Sequence, residues 1–170
     1  MFSAHKIPDL IKRLHLLLVL VVIWLFVSAG GVKMAKLAMS PGLWEWNHLW
    51  FGGLVTLLSV GFWLTNLAHG KWRSHYSWLV ADFAQVVRDL KGLTKGRLPS
   101  AIDGGLLAWI EGIAMLLLIG AGVSGLMGYL SSGAQALSWY DWHTSLAWSL
   151  LWALAVHAVA ALGHYIETFR

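Results

Sequence analysis

Long apolar stretches separated by short polar connections dominate the chain. Four of them reach the roughly 20 mostly apolar residues that a bilayer crossing requires, and they lie at about 14–32, 48–68, 105–129 and 142–166. The pattern predicts an all-α membrane protein, a bundle of four transmembrane helices that forms one domain over residues 1–170. Because the first stretch is longer than the apolar core of most signal peptides, we expect it to be a retained span.

The connection between the second and third spans has a different pattern. From Tyr76 to Leu90, apolar residues recur at helical spacing with polar residues between them; the apolar ones include Leu79, Val80, Phe83, Val86 and Val87. This periodicity is typical of an amphipathic helix. We expect this helix to lie on the cytoplasmic face of the membrane.

Composition agrees with a lipid environment and narrows the possible chemistry. Hydrophobic residues make up 58% of the chain and charged residues 12%, about half the charged share of a soluble domain. There is no cysteine, which excludes disulfides, cysteine zinc sites and thiolate-bound iron–sulfur clusters. The net charge of +4 is too small to indicate nucleic acid as a partner, so membrane lipid is the expected surrounding.

Lysine and arginine are distributed unevenly among the connections. Most of them precede the first span or lie between the second and third: Lys6, Lys12, Arg13, Lys71, Arg73, Arg88, Lys91, Lys95 and Arg97. The first connection contains only Lys33 and Lys36, and the last, around 130–141, contains neither residue type. The positive-inside rule therefore predicts that both termini and the long middle connection are cytoplasmic.

Several histidines fall in or at the ends of the apolar spans, where an ionisable side chain is costly and points to function. His143 and His157 are 14 residues apart, just short of four helical turns, so they project from nearly one face about 21 Å apart. By depth, His48 pairs with His143 near the outside and His15 with His157 nearer the inside. A single histidine in a span usually just forms a hydrogen bond with a neighbouring helix. Two pairs at matching depth, however, indicate that these four histidines are the axial ligands of two haems.

Small residues accompany these histidines. Gly52 and Gly53 follow His48, and span three contains the run from Gly120 to Gly125. Small residues most often let membrane helices approach closely. They also leave volume for a porphyrin.

Local motifs resemble those of bacterial cytochrome b561. They are Arg13-Leu14-His15, Asn47-His48 with Gly52, the segment from Trp142 to Ala147, and His157 followed by the segment from Ala160 to Tyr165. The wider superfamily includes the cytochrome b subunits of membrane-bound nickel–iron hydrogenases, formate dehydrogenases and thiosulfate reductases. The resemblance covers essentially the whole chain.

The resemblance implies two haem b groups with bis-histidine ligation. The haem-iron ligands that it carries over are His15, His48, His143 and His157. It also implies a location in the bacterial cytoplasmic (inner) membrane and electron exchange with a quinone.

No motif identifies the quinone site. Quinone reduction consumes protons, so an acid or a histidine near the inner haem would be useful. Glu111, Asn66 and His164 are at suitable depth and are the candidates. Interhelical hydrogen bonding is the alternative role for each of them, and His164 could instead bond a haem propionate.

Three functions remain open. The first is the membrane anchor of a respiratory complex, which exchanges electrons between a periplasmic iron–sulfur or multihaem cytochrome subunit and the quinone pool. The second is a stand-alone superoxide:quinone oxidoreductase, and the third is a haem-free structural bundle. Small outer connections with only Lys33 and Lys36 as cations favour the first, an electron-transfer subunit rather than a self-sufficient enzyme.

Overall fold

A computed structural model describes the backbone of residues 6–32, 41–68, 70, 72–99 and 103–167, and side chains within these ranges from residue 15 to residue 166. The predicted orientation depends partly on Lys33, Lys36 and Lys71 and on the side chains of Lys6, Lys12 and Arg13. These, like the two termini, lie outside what the structure describes. The cytoplasmic location of the termini therefore stays a prediction.

Helices and turns make up the described part of the chain. The elements are α1 (Lys6–Ala29), α2 (Leu43–Ala68), α3 (Trp72–His75), a 3-10 turn (Ser77–Val80), α4 (Ala84–Leu93), α5 (Leu106–Leu130) and α6 (Gly133–Glu167). Within the described residues, α2, α5 and α6 are long and apolar enough to cross a membrane, and His15–Ala29 in α1 is a shorter apolar helix. The all-helical, multi-span prediction is confirmed, while the fourth crossing and the bundle arrangement stay predictions.

Helix α6 departs furthest from its predicted span. It begins at Gly133 and has 35 residues, which correspond to about 52 Å against a hydrocarbon core of about 30 Å. Polar Gln135, Ser138 and Asp141 lower the hydropathy of its first turns. Hydropathy therefore located the apolar part of the helix but not its start.

The chain divides into two compact units, Met1–Leu58 and Ser59–Arg170. Helix α2 contributes its first part to one unit and its last part to the other. The single domain expected from the sequence stays a prediction.

The first unit is an antiparallel hairpin of α1 and the first part of α2. The indole Nε1 of Trp24 donates a hydrogen bond of 2.6 Å to Asn47 Oδ1, and the rings of Trp24 and Trp44 lie 6.3 Å apart. A Cβ atom at Gly31 would lie 2.8 Å from the Trp44 ring, so glycine is required for this approach. These contacts hold the end of α1 against the start of α2.

The second unit is built on close packing between α5 and α6. The α5 face is lined by small residues one turn apart: Gly120, Ala121, Ser124, Gly125 and Gly128. A Cβ atom at Gly120 would lie 3.3 Å from Leu146, and one at Gly128 would lie 2.5 Å from Tyr140. Small residues at this spacing allow the two backbones to approach, as in other membrane helix pairs.

The segment between α2 and α5 is not the continuous helix expected from Tyr76 to Leu90. A 3-10 turn occupies Ser77–Val80 and ends at Ala81, whose φ of 56° is left-handed. Tyr76 and Ser77 are buried, and both are bonded to α5: Trp109 Nε1 donates to Ser77 Oγ at 2.7 Å, and the Tyr76 hydroxyl donates to the Gly112 carbonyl oxygen. Tertiary contacts with α5 thus interrupt the helical periodicity, and the amphipathic helix begins only at Ala84.

Helix α4 retains part of the predicted amphipathic character. Val87, Leu90 and Leu93 are exposed, as expected for a helix that faces lipid. Asp89 is 5% exposed, and its Oδ2 accepts a hydrogen bond of 2.9 Å from the first backbone N–H of α5, at Leu106. This carboxylate therefore stabilises the N-terminus of α5, and the placement of α4 on a membrane face stays a prediction.

Candidate functional site

Helix α6 carries both His143 and His157 without interruption between them. Their 14-residue separation corresponds to about 21 Å along the axis, and both residues are half-buried. One helix therefore presents two imidazoles at two levels, in the register that the spacing predicted.

The His143 imidazole is held by a backbone carbonyl of α5. Its Nδ1 lies 2.7 Å from the Ala121 carbonyl oxygen. Because a carbonyl oxygen can only accept a hydrogen bond, Nδ1 is the donor in this contact, and Nε2 is the nitrogen that would ligate a metal. This is the state in which histidine ligates metals, with the ring oriented by the bond at the other nitrogen. The geometry suits His143 to ligate a haem iron through Nε2.

Gly125 makes room for the His143 ring. A Cβ atom at Gly125 would lie 2.9 Å from His143 Nδ1 and 3.2 Å from Cε1. Any larger side chain would push the ring away from the Ala121 carbonyl. In the sequence, Gly125 is one of several small residues in its run, and only the packed helices show its contact with the histidine.

The His157 imidazole has a different neighbour. Its Nδ1 is buried without a hydrogen-bond partner, and Glu111 Oε1 on α5 lies 3.8 Å away. Glu111 was predicted as a quinone-site residue, and the structure places its carboxylate beside a predicted haem ligand.

A second histidine approaches Glu111 from α3. His75 Nδ1 lies 3.9 Å from Glu111 Oε2 and 3.3 Å from the Ala108 carbonyl oxygen. The carboxylate therefore lies between two imidazoles that come from opposite ends of the second unit's sequence. Sequence reasoning gave His75 no role, because no motif or spacing connects a residue of this segment with α5 or α6.

Close packing at Gly112 holds His75 in place. A Cβ atom there would lie 2.8 Å from the His75 carbonyl oxygen and 3.0 Å from Tyr76 Cε1. The Tyr76 hydroxyl donates a hydrogen bond of 3.2 Å to the Gly112 carbonyl oxygen. Burial raises the pKa of Tyr76 above its ordinary 10.0. Tyr76 is thus a neutral anchor between α3 and α5.

The first unit also presents its histidines at two levels. His15 is exposed on α1, and His48 is half-buried on α2. Gly52 lies against Leu25, and Gly31 against Trp44, so in this antiparallel hairpin His48 is level with residues 27–29 of α1. That level is 12–14 residues from His15, or about 18–21 Å, close to the separation on α6.

Two further predicted residues have buried nitrogen atoms without hydrogen-bond partners. They are Asn66 Nδ2 on α2 and His164 Nε2 on α6. Among the described side chains, no hydrogen bond or ion pair joins Glu111 to either of them. The structure therefore brings Glu111 to His157 but does not join the three quinone candidates to one another.

Comparison with known proteins identifies one family. A family model described as prokaryotic cytochrome b561 matches residues 6–168, which is essentially the whole chain. Comparisons with curated proteins and with solved structures find no match. The matched region includes all four predicted haem ligands, which were selected by spacing on the fourth span and by depth on the first two.

Proposed function

The chain belongs to the prokaryotic cytochrome b561 family, and from this membership we propose that it is a di-haem cytochrome of the bacterial inner membrane. The family and the apolar helices establish a multi-pass membrane b-type cytochrome that binds haem b and takes part in electron transfer. Haem binding also favours this function over the haem-free bundle. The number of haems, the ligand pairs, the quinone and the partner are our proposal.

The proposed ligand pairs are His48 with His143 and His15 with His157. The observation that carries this proposal is the hydrogen bond from His143 Nδ1 to the Ala121 carbonyl, since a backbone carbonyl at one ring nitrogen is the usual way in which a metal-ligating histidine is oriented. The similar axial separations of the two histidines within each unit support two levels of ligation. Bound haem would supply one-electron chemistry, because two histidine ligands leave the iron no open position for a substrate.

A quinone is the proposed electron partner at the His157 level. Asn66 Nδ2, an amide donor, and the ring nitrogen His164 Nε2 are buried and have no hydrogen-bond partner among the described residues. A quinone carbonyl would accept a hydrogen bond from the amide, and from His164 when Nε2 carries the ring proton. Glu111, 46% exposed, is the proposed group that would take up a proton and pass it on to the quinone. Replacing Asn66 or His164 with leucine is expected to raise the KM for quinone while the haem spectrum is retained. Gln135→Leu, at the other end of α6, is the matched control.

The proposed physiological role is the membrane anchor of a respiratory complex. Only Ser131 and Ser132 connect α5 to α6, so no long loop separates the predicted outer ends of these two helices from a docked subunit. A periplasmic iron–sulfur or multihaem cytochrome subunit would then exchange electrons with this chain. Co-purification with such a subunit supports this role, whereas superoxide-driven quinone reduction by the isolated chain would establish the stand-alone alternative.

The haem proposal is tested by stoichiometry. The purified chain should contain two haem b per polypeptide in a pyridine haemochrome assay. Its reduced-minus-oxidised spectrum should show a b-type α-band. One haem per chain would eliminate the di-haem assignment while leaving family membership intact.

A further inference from the structure

The two proposed haem ligands on α6 differ in what their Nδ1 atoms face. His143 Nδ1 faces a neutral backbone carbonyl at 2.7 Å. His157 Nδ1 is buried, lacks a hydrogen-bond partner and lies 3.8 Å from the Glu111 carboxylate. Ring N–H groups of metal-bound histidines are almost always satisfied by such acceptors. If His157 ligates iron through Nε2, its Nδ1 carries the ring proton, and the nearby Glu111 carboxylate is a strong acceptor for that N–H.

Glu111 can complete that bond without movement of the backbone. Its side chain is 46% exposed, and its three rotatable bonds allow a carboxylate oxygen to move by the roughly 0.6–1.1 Å that separates 3.8 Å from hydrogen-bond distance. His157 is 27% exposed and sits on a packed helix. The flexible partner is therefore the glutamate, and the fixed one is the histidine.

His75 limits where the carboxylate can go. It lies 3.9 Å from Glu111 Oε2, whereas His157 is near Oε1, and the His75 side chain is 20% exposed. The backbone of His75 is held against Gly112, and Tyr76 is bonded to the same residue. The α3 segment thus gives Glu111 a second contact that keeps Oε1 directed toward His157.

We propose that Glu111 is a positioning residue that accepts a hydrogen bond from His157 Nδ1 and lowers the reduction potential of the iron that His157 ligates. His75 holds the same carboxylate from the α3 side. A carboxylate partner makes a ligating imidazole more basic than a carbonyl partner does, and a more basic ligand stabilises the oxidised, more positively charged iron. The inference rests on His157 being a haem ligand, as proposed above.

The test compares Glu111→Gln with the unchanged chain in a spectroscopic redox titration. Glutamine keeps the size and an acceptor oxygen but removes the charge. We expect the reduced-to-oxidised ratio of one haem at a fixed poise to rise about tenfold, equivalent to ~59 mV for one electron. The other haem should titrate as before. The variant His157→Ala identifies which haem belongs to His157.

Two further variants exclude simpler explanations. Asp103→Asn removes the same charge from the exposed turn before α5, and it should leave both potentials unchanged. His75→Phe should shift the same haem as Glu111→Gln but by less, because the carboxylate remains and only its orientation is freed. If Glu111→Gln does not accumulate in the membrane, Glu111→Asp, which keeps the charge but shortens the reach, should shift that same haem.

The outcomes separate this inference from the proposed function. Two haems with potentials that do not respond to either Glu111 variant would overturn the role of Glu111 and leave the ligand assignment standing. The role of Glu111 would also be overturned if Glu111→Gln shifted the reduction potentials of both haems equally. The same conclusion would follow if Asp103→Asn shifted them as much as Glu111→Gln does, because either result would indicate a long-range charge effect and not a contact with His157. A chain that retains both haems in His157→Ala would instead refute the ligand assignment itself.

Discussion

The two histidines of α6 lie on one helix, nearly on one face, yet their surroundings are built differently. His143 is bonded to a backbone carbonyl of α5, and Gly125 allows the ring to approach. His157 faces a flexible carboxylate that also contacts His75. One site is held by main-chain packing and the other by side chains from three segments. A regular sequence spacing can therefore place two ligands that are held, and tuned, in different ways.

Removing the imidazoles is expected to have the largest effect. His143→Ala should abolish one haem and His157→Ala the other, because each substitution removes an axial ligand. Pyridine haemochrome assays should then give one haem per chain for each variant, with different remaining potentials. Retention of both haems by either variant would refute the pairing.

A methyl group at Gly125 tests the close packing around His143. In Gly125→Ala the added Cβ would lie 2.9 Å from His143 Nδ1, and such overpacking costs about 1–3 kcal/mol. We expect weaker retention of the haem at His143 and an altered low-spin EPR signal from that haem alone. Gly61→Ala, where nothing lies within 4 Å of the added Cβ, is the control. Equal effects of the two substitutions would contradict the proposed packing.

A methyl group at Gly112 tests the packing of α3 against α5, which holds His75 near Glu111. It would meet the His75 backbone at 2.8 Å, so Gly112→Ala should push α3 from α5 and destabilise the chain by about 1–3 kcal/mol. Gly92→Ala, in α4 with only ordinary contacts, should instead stabilise the chain by up to about 1 kcal/mol. Thermal unfolding in detergent measures both. Effects of the same sign would show that Gly112 is not a point of close approach.

The smallest expected effect concerns Tyr76. Tyr76→Phe removes the hydrogen bond to the Gly112 carbonyl, a loss of about 0.5–1.5 kcal/mol at neutral pH. Because burial raises the Tyr76 pKa above 10.0, the folded chain keeps this proton where the unfolded chain loses it. Stability from Tyr76 is therefore complete below pH 10 and falls as pH rises toward the folded-state pKa. The phenylalanine variant should lose less stability than the unchanged chain above pH 10.

The sequence by itself determined the helical membrane architecture and the histidine register. Apolar stretches of bilayer length predict spans because lipid offers the backbone no hydrogen-bond partners. Helix geometry fixes the axial rise per residue, so the axial separation of His143 and His157 follows from the number of residues between them. Hydropathy located the apolar part of α6 but missed its first turns, because polar residues there lower the hydropathy although the backbone is already helical.

Only the tertiary structure decided what surrounds each histidine. The contact between His143 and Ala121 joins two helices. Glu111 meets His75 because α3 packs closely against α5 at Gly112. Such contacts depend on which faces pack and on where glycine permits approach, and neither follows from residue spacing. The spacing of residues determines where a histidine lies along its helix. The group that orients the imidazole, through Nδ1, belongs to a segment distant in sequence.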